Sequence, residues 1–150
     1  MSPNTSRGGS AGAACAWAAL AAAVGVALFW GFTVDDAWIT ARVAWRFASG
    51  LGYRFNETGP AVDAVTPLGW VFVLVPFAKH SPFPALQAAR YLGAIAWILA
   101  AAWLGYSAKK CGKNPYYAMV LLAAAPLGAW ASAGMETGFV VALSTWALGE

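Results

Sequence analysis

Charge is what this chain has least of: Asp, Glu, Lys and Arg make up 10% of its 150 residues, against 61% that are hydrophobic. Soluble domains carry about 25% charged residues. A chain this poor in charge, with a mean hydropathy of +0.61, has too little polar surface to be a soluble domain of this size. The net charge is only +3, and the Lys and Arg residues are scattered among apolar runs. That excludes the dense basic face a nucleic-acid partner requires. Cysteine is almost missing: Cys15 lies in the first apolar run and Cys111 in a Lys-rich loop, without metal-ligand spacing. The lone histidine, His80, has no partner spaced near it and reads as an interfacial residue. No internal repeat is visible.

What the chain does have is long apolar runs. After a polar, Gly/Ser-rich stretch from Met1 to Ser10, an uncharged run extends from Ala11 to Val34. At helical rise these 24 residues reach ~36 Å, enough to cross a hydrocarbon core of about 30 Å. The run exceeds the 7–15 residues of a signal-peptide core, so it is expected to remain as a first span. Asp35 and Asp36 follow it directly. Two adjacent carboxylates at the end of a span repel one another, so they are either a solvated stop signal or a functional pair.

The segment from Asp35 to Gly50 has the pattern of an amphipathic helix. On a helical wheel Asp35, Arg42, Arg46 and Ser49 share one line, with Ala37, Ala41, Ala44 and Ala48 opposite. Such a helix suits a membrane surface. Its arginines either touch lipid phosphates nonspecifically or face a cavity in which a phosphorylated lipid is held by guanidinium hydrogen bonds. Gly50 to Pro60 is turn chemistry. The apolar run Pro67–Ala78 has 12 residues with Pro76 inside it, a length of interfacial rather than spanning segments.

That length decides the expected topology. Residues 1–10 form a cytoplasmic tail, 11–34 a first span, and 35–83 an external loop with two interfacial helices. A second span, 84–106, leads to a cytoplasmic loop, 107–114. A third, 115–133, begins at Pro115 and is kinked at Pro126; an external loop, 134–137, then opens a fourth span, 138–150. Arg7 and the cluster of Lys109, Lys110 and Lys113 then share the cytoplasmic side, as the positive-inside rule requires. Arg90, near the start of the second span, is expected to snorkel outward. Glu136 returns to the side of Asp35 and Asp36, as a helix cap or as a second functional acid. Because the chain stops inside a fresh apolar run, it is expected to be the N-terminal part of a longer membrane protein.

Several stretches, in this order, carry a resemblance. They are Asp35-Asp36-Ala37-Trp38-Ile39, Ala48-Ser49-Gly50-Leu51-Gly52, Tyr53-Arg54-Phe55-Asn56, Thr66-Pro67-Leu68-Gly69-Trp70 and Gly134-Met135-Glu136-Thr137. Together they resemble the N-terminal module of bacterial GT-C glycosyltransferases, most of all the arabinofuranosyltransferase-like branch, over about Val34 to Val141. The chain departs from that branch at Asp63-Ala64-Val65-Thr66-Pro67-Leu68-Gly69-Trp70, where relatives read Glu-Gly-Tyr-Thr-Ser-Pro-Leu-Trp.

The resemblance implies an all-α, multi-span membrane bundle of GT-C type in the bacterial inner membrane, with its site outside the cytoplasm. Its reaction would move a sugar, with inversion, from a polyprenyl-phosphate donor to a hydroxyl of a glycan or other cell-envelope acceptor. The phosphate leaves as a stabilised anion, so one carboxylate base suffices. By resemblance the base is Asp35, with Asp36 orienting or substituting for it, and Glu136 is the second acid, binding acceptor. A divalent cation is open, with Asp36 and Glu136 as its ligands. Arg42 and Arg46 are the nearest cations for the leaving phosphate. The alternative is a transporter or flippase of a lipid-linked anion. Transporters place charge near the bilayer midplane, whereas here it lies at the ends of runs.

Overall fold

A computed structural model describes residues 10–60, 65–114 and 125–148. The N-terminal tail, Asp63 and the first part of the expected third span lie outside the described residues, as do the surroundings of the Pro126 side chain. Among the described residues the secondary structure is entirely helical: α1 (Ala11–Leu28), α2 (Asp35–Ala48), α3 (Leu68–Leu74) running into a 3-10 turn (Val75–Phe77), α4 (Pro82–Lys110), α5 (Ala125–Ser132) and α6 (Thr137–Leu148).

Each start and stop has a local cause. The Ser10 hydroxyl caps α1 by accepting from the Ala13 amide at 3.2 Å. The helix ends six residues before the apolar run does, because Phe29 to Phe32 close into a turn. In α2 the two aspartates occupy the first turn and Arg46 the last, each complementing the helix dipole. Two reverse bonds close α2, from the Gly50 amide to the Phe47 carbonyl and from the Leu51 amide to the Arg46 carbonyl. Proline at the first position starts α4, and Lys109 and Lys110 sit in its last turn. It is thus longer at both ends than the expected 84–106, and takes in part of the expected loop. The run after Thr66 forms only α3 and its 3-10 turn.

α1 and α4 are both long and apolar enough to cross a membrane. Only 28% of the apolar window of α1 and 39% of that of α4 are buried within the protein, whereas the core helix of a soluble fold would be mostly covered. Trp17, Leu20, Val24 and Leu28 line one outward stripe, and Tyr91, Ile95 and Leu99 another. An apolar surface of this extent is suited to lipid.

Helix α4 runs through both cores. Its first turns pack Ala85, Leu86 and Ala89 against Ala37, Ala41, Val43 and Ala44 of α2 and Trp70, Val71 and Leu74 of α3. Further along, Ala94, Trp97 and Ala101 meet Ala18, Ala22 and Val26 of α1 and Ala131 of α5. Where α4 crosses α5 and α6 the backbones touch: a Cβ on Gly93 would strike the Ala131 carbonyl oxygen, and one on Gly138 the Gly93 carbonyl. Small residues permit this approach, which in membranes supplies packing that the hydrophobic effect does not.

Candidate functional site

The candidate residues gather where α1 ends, α2 and α4 begin, and the turn between α5 and α6 passes overhead. That turn, residues 133–136, is held from three sides. Gly134 has φ +95°, and a Cβ there would lie 3.0 Å from Leu86 Cδ1 and 3.1 Å from the Ala37 Cβ. A side chain would be strained by the backbone and crowded by its neighbours. The indole N–H of Trp70, a buried residue, donates to the Gly134 carbonyl at 3.3 Å. Arg90 Nε donates to the Ser132 carbonyl at 3.3 Å, and its guanidinium lies 4.8 Å from the Trp30 ring centre.

Arg90 is therefore turned inward, buried between helices, and does not snorkel outward as expected. The Trp30 ring and the end of α5 offer it a π face and a carbonyl that solvent would otherwise replace.

The turn hands Glu136 to the start of α6, where its backbone carbonyl accepts from the Phe139 and Val140 amides, both at 2.9 Å. Glu136 is thus a backbone cap, and the half-exposed residue lines a cavity of about 240 Å³. Asp36, Ile39, Thr40, Val65, Thr66, Pro67 and Met135 complete the lining. Asp36 of α2 and Glu136 thus line one cavity. Among the described residues neither carboxylate has a hydrogen-bond or ion-pair partner.

Asp35 is not in this cavity. Adjacent helical residues point about 100° apart, so α2 separates the two aspartates. Asp35 lines a second, open-sided cavity of about 470 Å³ with Trp38, Ile39, Arg42, Phe55 and Pro82. Only Ile39 borders both. The expected Asp35–Asp36 unit is thus resolved into Asp36 with Glu136 and Asp35 with Arg42.

The arginines divide in the same way. Arg42 packs on the Phe55 ring at 4.6 Å and reaches the second cavity. Arg46, expected beside it, reaches neither: it is buried, lies 4.4 Å from the Trp45 ring centre and pairs with Glu57 at 3.5 Å. The loop from Ser49 onward folds back along α2 and supplies both Phe55 and Glu57. The Tyr53 hydroxyl fastens it by donating to the Val65 carbonyl at 2.8 Å.

Among the described residues no three His, Cys, Asp or Glu side chains are grouped to hold a metal. Asp36 and Glu136 supply two carboxylates, and the cavity adds the hydroxyl-bearing Thr40 and Thr66. The Thr40 hydroxyl already donates to the Asp36 carbonyl at 2.9 Å. Such a set fits Mg²⁺, which keeps several waters and takes one or two carboxylates.

Two kinds of residue were missed by sequence reasoning. Thr40 and Met135 enter the Asp36 cavity only through helix phase and the path of a turn. Trp70 and Arg90 hold that turn and the residue before it by hydrogen bonds from other helices, a pairing that no local pattern in the chain announces.

No family model matches the chain, and neither a curated protein nor a solved structure matches it.

Proposed function

We propose that the protein is a membrane glycosyltransferase of the GT-C kind, which transfers a sugar from a polyprenyl-phosphate donor to an acceptor hydroxyl at the outer face of a bacterial inner membrane. The observation that carries this reading is that Asp36, in the first turn of α2, and Glu136, 100 residues on, line one cavity at one end of the two long apolar helices. Paired acids without partners in an apolar protein serve a ligand or a proton, since both are costly to keep at a membrane surface without use. Lys109 and Lys110 mark the opposite end of α4, and with Arg7 and Lys113 they support a cytoplasmic placement for that end.

In this reading Asp36 is the base. It takes the proton of the acceptor hydroxyl as the oxygen attacks the anomeric carbon, and the bond to the lipid phosphate breaks. The phosphate carries away the bonding electron pair and needs no proton at that step. Glu136 orients the acceptor from the other wall, and Thr40 and Thr66 offer hydroxyls to the sugar. A divalent cation, when bound, would be held by Asp36 and Glu136 and would neutralise charge on the phosphate. Arg42 faces the neighbouring cavity and Arg46 is engaged with Glu57, so neither carries the transfer step here.

The experiment is sugar transfer by the full-length protein in native membranes with a lipid-phosphate donor. Asp36→Asn should lower the rate by about 10²- to 10⁴-fold, the usual contribution of a general base. Asp35→Asn should lower it far less. Equal losses would return the base to the aspartate pair, and full activity in Asp36→Asn would overturn the assignment.

A further inference from the structure

The second cavity is left without a task by the transfer reading, and its composition specifies a ligand. One acid and one guanidinium lie two helical turns apart on the same line of α2, ~10 Å along its axis. Among the described residues the two are not paired with each other or with any other charge. Phe55 covers one face of the Arg42 guanidinium, and Arg42 Nε is left without an acceptor. The remaining walls are Trp38, Ile39, Phe55 and Pro82. A purely anionic ligand would gain Arg42 but meet the Asp35 carboxylate, and a purely cationic one would suffer the reverse. A ligand that carries both charges, set apart along its length, satisfies both.

The surroundings show where such a ligand comes from. Trp38 and Phe83 pair at 6.4 Å beside the cavity, and both are exposed. Pro82 is the first residue of α4, so the cavity lies at the end of an apolar helix, at the depth of lipid headgroups. We propose that this cavity binds the phosphoethanolamine headgroup of a membrane phospholipid, with the phosphate on Arg42 and the primary ammonium on Asp35. A carboxylate accepts hydrogen bonds from a primary ammonium but not from a quaternary one, so Asp35 favours the primary group. The site is separate from the Asp36–Glu136 cavity, and the inference holds whichever reaction the latter performs.

The test is lipid retention by the full-length protein, released from nanodiscs of equal parts phosphatidylethanolamine, phosphatidylcholine and phosphatidylglycerol and read by native mass spectrometry. Phosphatidylethanolamine should be retained about tenfold over each of the others, the equivalent of one charge-assisted hydrogen bond. Asp35→Asn should abolish that preference and Asp35→Glu restore it. Arg42→Gln should lose retention, while Lys79→Gln, removing an exposed charge outside the cavity, should change nothing. Equal retention of the three lipids, preference for phosphatidylglycerol, or persistence of the preference in Asp35→Asn would overturn the proposal. Binding of free phosphoethanolamine in preference to the lipid, when the two are offered at equal concentration, would overturn the assignment to a membrane lipid and point to a soluble ligand.

Discussion

The packing of α4 changes style along its length. From Gly93 onward it meets α1, α5 and α6 largely through alanine and glycine, with Trp97 its one large buried side chain, and at Gly93 and Gly138 the helices touch backbone to backbone. Its first turns meet α2 and α3 through larger side chains, among them Trp70, Leu74 and Leu86. Backbone contact leaves no room for a cavity, whereas large side chains hold helices apart at discrete points and leave space between them. Both described cavities border α2, on the widely spaced side. Tight packing thus supplies rigidity at one level, and looser packing supplies room for ligands at the next.

The sharpest way to break this contrast is Gly93→Leu. A side chain there must push α4 away from the Ala131 carbonyl, which is backbone and cannot turn aside. The expected loss is about 3 kcal/mol, the upper range for overpacking a core, read as a lowered midpoint in denaturant titration of the detergent-solubilised protein. At Gly69, in α3 on the widely spaced side, a Cβ would meet nothing within 4 Å, so Gly69→Leu is the matched substitution with little effect. Comparable losses at both positions would dissolve the distinction between the two kinds of packing.

Next in size is Trp70→Phe, at the seam between them. An aromatic ring remains in place, but the donor to the Gly134 carbonyl goes, along with part of the packing volume. Stability should fall by about 1–2 kcal/mol. If that hydrogen bond holds the turn that carries Glu136, sugar transfer should fall by more than stability does, about a hundredfold or beyond, because small displacements of a catalytic group are costly. Parallel losses in the two measurements would make Trp70 a packing residue alone.

Much of this architecture was legible in residue order, and what was not has a common cause. The Pro67–Ala78 run folds as a short helix and turn, whereas α4 begins two residues before the expected span and ends four after it, because its last turn takes in the Lys pair read as a loop. The alanine line of α2 is buried at Ala37, Ala41 and Ala44, as its period required. The division of labour at the site was hidden because Asp35 and Asp36 were weighed as a unit, although about 100° of helix separates their side chains. Nothing local to Arg46 marks it as engaged, since its partner Glu57 arrives only through the path of an irregular loop. The same holds for Arg90, which Trp30 reaches from the turn after α1 and Ser132 from the end of α5. Local periodicity orients a side chain on its own helix, and partners from distant segments decide whether it is available.

The smallest expected effect belongs to Glu57→Gln, and it asks whether the loop behind α2 belongs to the tightly packed region or the open one. Burial is lopsided across the ion pair: 7% of the Arg46 side chain is exposed and 69% of the Glu57 side chain. Water therefore reaches the carboxylate and screens the pair, and glutamine keeps an oxygen that can still accept from the guanidinium. The loss should be under about 1 kcal/mol and should shrink as salt is raised, as for exposed pairs. Phe55 on Arg42 and the Tyr53 hydroxyl on the Val65 carbonyl would continue to hold the loop. A salt-independent loss of about 3 kcal/mol or more would instead be the response of a buried pair robbed of one partner. It would make the loop part of the α2 core, and the wall of the second cavity as rigid as the glycine crossing below it.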